Sequence, residues 1–194
     1  MKILTIKNKK MLYVYALLCI IILALLIAIL YPWWYNRRQM REYPLKHTEL
    51  VEKYAADYGV DKALIYAVIR TESSFNASAV SYAGARGLMQ MTPDTFKWLQ
   101  TKTGEKLDTE MLFDPETSIK YGTFFLNMLL EEFGELETAI AAYHAGRGKV
   151  NSWLRDSAIS PDGKTIPEIP IPQTRHYVNK VMSAYERYKK IYEF

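Results

Sequence analysis

Cysteine is nearly absent: Cys19 is the only one in 194 residues. No disulfide can form within the chain, so the fold does without covalent staples. A single cysteine inside an apolar stretch does not decide the compartment. Acidic residues are missing from residues 1–41, and residues 11–31 (MLYVYALLCIIILALLIAILY) carry no charge of either sign. A run that long and apolar is the length of a membrane-crossing helix rather than of a buried soluble one. Histidine is scarce as well. His47, His144 and His176 lack metal-ligand spacing, so neither a metal nor another cofactor is expected. Alternating strand patterns, internal repeats and low-complexity tracts are also missing, which excludes β-rich and solenoid architectures.

Charge is unevenly placed. Residues 1–41 hold seven of the 25 Lys/Arg, leaving 18 against 21 Asp/Glu in the remainder, a net of −3. The basic footprint of a nucleic-acid binder is therefore absent, and no nucleic-acid partner is expected. Lys2, Lys7, Lys9 and Lys10 precede the apolar run, and Arg37, Arg38 and Arg41 follow it. This slight bias points residues 1–10 to the cytoplasm and the C-terminal part outward. Tyr13, Tyr15, Tyr31, Trp33, Trp34 and Tyr35 flank the run as interfacial aromatics do. No small-residue cleavage site ends it, since Ala28-Ile29-Leu30-Tyr31-Pro32 does not fit. The expectation is an uncleaved, single-pass anchor in the lipid bilayer at 11–31, a linker at 32–46 and one domain at 47–194.

That domain reads as all-α. Residues 47–58 close before Gly59, and Asp61 can cap the next helix. Thr92-Pro93-Asp94 and Asp114-Pro115-Glu116 open two more, ending near Gly104 and at Phe133. The second is apolar almost all round, as the centre of a bundle should be. Two shorter helices are expected at 137–145 and 148–155, a proline-rich loop at 160–172 and a closing helix at 174–192.

Glu72 stands out in this pattern. Leu64, Ile65, Val68 and Ile69 share one face of a helix, and Glu72 continues that face near its C-terminal end. Burial and the negative end of the helix dipole both disfavour an ionised carboxylate there. The pKa is pushed toward neutrality, as a general acid requires. The alternative is a glutamate that turns to solvent or pairs with Arg70 or Arg86.

Glu72-Ser73-Ser74-Phe75-Asn76 is followed by Ser81-Tyr82-Ala83-Gly84-Ala85-Arg86-Gly87-Leu88-Met89-Gln90-Met91-Thr92-Pro93, then by Ala141-Ala142-Tyr143-His144-Ala145-Gly146 and Pro172-Gln173-Thr174-Arg175-His176-Tyr177-Val178. In order and spacing these blocks resemble the lytic transglycosylase domain related to goose-type lysozyme, over roughly residues 48–192. The resemblance implies a lysozyme-like helical fold with a groove for peptidoglycan glycan strands. It implies cleavage of the β-1,4 bond between N-acetylmuramic acid and N-acetylglucosamine with a 1,6-anhydro end, Glu72 serving as both acid and base. It carries Ser73, Ser81, Gln90, Tyr143, His144 and Tyr177 over as substrate-binding residues, and leaves protein partners open. Gly84 and Gly87 suit tight turns, and Met89 suits the core. Two positions depart from the family: His144 stands where Asn is usual, and Gln173 where Glu is frequent.

One carboxylate suffices if the nucleophile belongs to the substrate. Asp94, Asp108, Asp114 and Glu116 read as caps or solvated loop groups. Two other readings are a hydrolytic lysozyme of the same fold, which needs a second carboxylate, and a catalytically weak scaffold that binds the cell wall.

Overall fold

A computed structural model describes residues 2–194, with side chains from residue 11 onward. The basic segment expected at 1–10 lies outside the described side chains. The backbone divides into two compact units, residues 1–44 and 45–194.

The first unit is the helix α1, Lys2–Glu42. Its most apolar 18-residue window has a mean hydropathy of 3.0 and none of it is buried. Residues 11–31 rise about 30 Å at 1.5 Å per residue, the thickness of a bilayer core. Most of the linker expected at 32–46 is helical: α1 continues through Pro32 to Glu42. A proline costs a helix one hydrogen bond and a clash one turn back, which the long flanking helix absorbs. Beyond it Arg38 pairs with Glu42 four residues on, at 3.1 Å. Pro44 then restrains Tyr43 away from helical geometry, and the helix stops.

The second unit contains α2 (Thr48–Tyr58), α3 (Lys62–Ser73), α4 (Pro93–Thr103), a 3-10 helix (Thr109–Phe113), α5 (Pro115–Phe133), α6 (Leu136–Ala145), α7 (Arg147–Leu154) and α8 (Pro172–Tyr192). Among the described residues the nearest thing to a strand is a pair of isolated antiparallel bridges, Val80 with Arg86 and Arg86 with Met91. The expected caps are in place. Asp61 Oδ1 accepts from the Ala63 N–H at 2.8 Å, Thr92 Oγ1 from Thr95 at 3.3 Å and Asp114 Oδ2 from Thr117 at 2.8 Å. The short 3-10 turn had no apolar periodicity to announce it, but Asp108 caps it through the Glu110 N–H at 2.8 Å.

α5 packs against α2, α4, α6 and the 3-10 helix, the central place its pattern predicts. α3 is more deeply enclosed than its apolar stripe implies. All seven residues from Ala63 to Ile69 are buried, Tyr66 and Ala67 included. α8 covers much of α3, and Tyr188 stacks on Tyr66 with centroids 5.4 Å apart. A helix enclosed on every side is rigid, and Glu72 stands at its C-terminal end.

Candidate active site

The chain turns sharply just past Glu72. Ser74 and Phe75 have φ of 51° and 65°, left-handed values that non-glycine residues rarely adopt. Backbone strain of this kind persists where surrounding contacts over-determine it. Here they do. Phe75 is buried, and Ser73 Oγ donates to the Leu88 carbonyl at 2.8 Å, with Ile69 O at 3.2 Å. Ser73 thus joins the end of α3 to the segment 87–91.

That segment is clamped from below. Gly87 has φ +76°, and a Cβ there would stand 1.8 Å from the Leu112 carbonyl oxygen. Met89 is fully buried. Its N–H donates to Ser118 Oγ at 3.2 Å, and its side chain fills the space a Cβ on Gly122 would need, 2.3 Å from Sδ. Tyr143 Oη donates to the Met89 carbonyl at 2.8 Å. Gln90, at φ 47°, gives its amide N–H groups to the carbonyls of Ala79 and Gly87, both at 3.0 Å. Ser81 is exposed at a loop where its Oγ accepts from the Ala85 N–H at 3.1 Å. Ser73, Ser81 and Gln90 are therefore placed as braces of the loop beside Glu72. Arg86 bonds Glu110 at 2.5 Å and Thr109 at 3.3 Å, so it is committed to the 3-10 helix.

Tyr177 reaches the carboxyl directly, and His144 lies behind Tyr177. Tyr177 Oη, from α8, donates to Glu72 Oε1 at 2.7 Å. His144, in the last turn of α6, stacks on Tyr177 with ring centroids 4.5 Å apart and planes at 27°. Burial pushes Glu72 up to about 7, against the opposing effect of the Tyr177 bond. Burial and the nearby Glu72 charge hold the Tyr143 and Tyr177 hydroxyls well above their ordinary range. Both phenols thus keep their protons near neutral pH and act as donors. Burial lowers the His144 imidazole.

A cleft of about 480 Å³ lies on the α6 side, lined by Asp94, Trp98, Phe125, Tyr143, His144 and Arg147 among others. Trp98, Phe125 and Tyr143 give this cleft aromatic surface, and Asp94, His144 and Arg147 add polar groups. Sequence reasoning missed Trp98 here, since one tryptophan on an amphipathic helix reads as core. It also missed Thr174 and Gly122. A mid-helix glycine costs stability, and that is the signal by which Gly122 announces a close approach.

The other acids separate cleanly. Asp108 and Asp114 are caps, and Glu116 accepts from Lys53 and Tyr54 at 2.8 Å each. Asp94, expected as a helix-start acid, is in the first turn of α4 and also lines the cleft. Among the described residues no three His, Cys, Asp or Glu side chains cluster closely enough to hold a metal ion.

The family model of the transglycosylase SLT domain matches residues 49–166, well over half of the chain. The chain belongs to the transglycosylase SLT domain family. It is 35% identical over 156 residues to the soluble lytic murein transglycosylase of Escherichia coli K12, covering 75% of this chain and 24% of that protein. It is 34% identical over 170 residues to the membrane-bound lytic murein transglycosylase C of Pectobacterium atrosepticum, covering 75% and 47%. The crystal structure of the 70-kDa soluble lytic transglycosylase of Escherichia coli superposes with a TM-score of 0.70 at 30% identity, covering 78% of this chain and 25% of that one. An inactive mutant of the lytic transglycosylase Slt from Pseudomonas aeruginosa gives 0.66 at 32% identity, covering 76% and 24%. The chain thus spans about a quarter of the soluble relatives and under half of the membrane-bound one.

Proposed function

We propose that this protein is a membrane-anchored peptidoglycan lytic transglycosylase, with Glu72 as its single acid and base. One observation carries this reading: a carboxyl pushed up to about 7 and held at Oε1 by a neutral phenol, Tyr177. With Oε1 accepting from Tyr177, Oε2 carries the transferable proton. Glu72 protonates the leaving glycosidic oxygen as the bond from the muramic acid C1 breaks. The ionised carboxylate then stabilises the positive charge at C1, with help from the substrate's own 2-acetamido group. In the second step Glu72 takes the proton from the muramic acid 6-hydroxyl as its oxygen bonds to C1. The proton returns to Glu72, no water is consumed, and a 1,6-anhydro end results. A group near its working pH can serve in both directions.

Tyr143 and Trp98 form walls of the glycan groove, and His144 stands at its edge. Residues 11–31 cross the bilayer with residues 1–10 in the cytoplasm. The catalytic unit then works outside the cytoplasm on glycan strands near the membrane. The helical continuation to Glu42 supports this short tether, because residues 32–42 advance only about 16 Å as a helix. Release of residues 45–194 from the anchor should alter the cellular cleavage pattern, and an unchanged pattern would discard the tether.

Asp94 keeps a hydrolytic reading alive, since it supplies the cleft with a carboxylate that could activate water. Product mass decides between the two. Purified peptidoglycan is digested with the wild type and with Glu72→Gln, and the sugar ends are weighed. Anhydro ends that vanish in the variant establish the transglycosylase. Reducing ends, one water heavier, establish a lysozyme. Wall binding without cleavage establishes a scaffold.

A further inference from the structure

His144 is attached at two points of α8. Its Nδ1 lies 3.1 Å from the Thr174 hydroxyl, and its ring lies against the face of Tyr177, one helical turn further on. Thr174 is 1% exposed and Tyr177 7%, so both attachment points are fixed within the packed interface of α6 and α8. A hydrogen bond defines where the imidazole sits, and a stacked face defines the plane of the phenol ring. That plane sets the direction of the Tyr177 hydroxyl, whose bond to Glu72 Oε1 weakens steeply with misalignment.

We propose that His144 is a positioning residue: held by Thr174, it orients Tyr177 toward Glu72 and so governs when the carboxyl carries its proton. The proposal rests on Glu72 being the acid and base of the site. His144 acts here through a tyrosine and not through the sugar. The charged and titratable groups around it are Tyr143 on its own helix, Tyr177 on α8 with Glu72 of α3 behind it, and Asp94 of α4 and Arg147 of α7 across the cleft. Burial lowers the pKa of the imidazole and so disfavours its charged form. The neutral ring is a stacking partner and adds no charge to the carboxyl. Its removal acts on geometry alone.

The sign follows. The Tyr177 bond lowers the pKa of Glu72, so loosening Tyr177 raises it. Cleavage needs protonated Glu72, so kcat/KM declines as pH rises through that pKa. In His144→Ala the declining limb should move to higher pH by about half a unit to one unit, the scale of one hydrogen bond to a charged group. KM should change little. His144→Phe keeps a stacked ring but loses the Thr174 bond, so it should bring the limb only partway back toward the wild type. Thr174→Val removes the hydrogen bond that holds the imidazole and should move the limb in the direction of His144→Ala.

The measurement is a pH–rate profile of the full chain in detergent for the four proteins, with thermal unfolding to verify folding. Beside it, the Glu72 carboxyl is titrated by carbon NMR, assigned by its absence in Glu72→Gln. An upward shift in His144→Ala, with smaller shifts in His144→Phe and Thr174→Val, supports positioning. A raised KM with an unmoved limb overturns it in favour of a direct sugar contact. Equal shifts in the Ala and Phe variants also overturn it. The NMR titration needs no turnover, so it reads the positioning even if the wild type forms no anhydro ends, an outcome that discards the transglycosylase instead.

Discussion

Tyr177 Oη donates to Glu72 Oε1 at 2.7 Å, across 105 positions of sequence. Burial of Glu72 raises its pKa, the bond opposes that rise, and the outcome is about 7. Both the protonated and the ionised carboxyl are thereby populated near neutral pH.

Tyr177→Phe tests that balance. Loss of the bond moves the declining limb of kcat/KM upward in pH, because the effect that held Glu72 down is gone. Loss of orientation lowers kcat about tenfold, the equivalent of one hydrogen bond in the transition state. Glycan cleavage measured between pH 5 and 9 reads both. A limb that stays at the wild-type position would show that Tyr177 does not bear on Glu72.

Glu72 should also leave a mark on stability. Its folded pKa lies above the unfolded value of 4.5, so between about pH 4.5 and 7 the folded chain holds more protons than the unfolded one. Stability therefore falls as pH rises through that window. Glu72→Gln has no charge to bury. It should equal the wild type near pH 4 and exceed it at pH 8 by at most about 3 kcal/mol. Urea unfolding at the two pH values tests this, and an equal difference at both contradicts it.

Gly84 and Gly87 provide an internal comparison. Both have positive φ, +77° and +76°, but a Cβ on Gly84 meets nothing within 4 Å while one on Gly87 meets Leu112 O at 1.8 Å. Gly84→Ala should cost about 1 kcal/mol of backbone strain. Gly87→Ala must also displace the 3-10 helix and should cost several kcal/mol, on the order of an overpacked core. Thermal unfolding separates the two, and similar costs would contradict the close approach.

Residues 45–194 form a compact unit by themselves. Expressed without α1, they should remain soluble without detergent and unfold within about 2 °C of the full chain. The full chain should partition into membranes and resist extraction by high salt or carbonate, since its retention is apolar rather than electrostatic. Release by salt alone would contradict a spanning helix.

Much of this molecule is local and was therefore readable in order along the chain. The helix starts at Asp61, Thr92 and Asp114 are caps that act over two or three residues. The apolar span and the face that leads to Glu72 are periodicities within single segments. The all-α class follows from these alone, and the periodicity singles out Glu72, which the family motifs then support as the catalytic candidate. The end of α1 was legible only in part, because Pro32 marks a local cost that the long flanking helix overrides.

What each polar group bonds is a different kind of fact. Ser73 and Gln90 carry groups that could face a sugar or the backbone, and the fold gives them to Leu88, Ala79 and Gly87. Ser81, carried over as a substrate-binding residue, uses its hydroxyl to accept from Ala85 within the turn. Tyr177 and His144 make these contacts only when α8 packs against both α3 and α6, since a 2.7 Å bond and a 4.5 Å stack depend on the angles between helices. Periodicity and caps specify where helices lie along the chain. The crossing of those helices, set by side-chain packing across long sequence separations, determines which oxygen meets which proton.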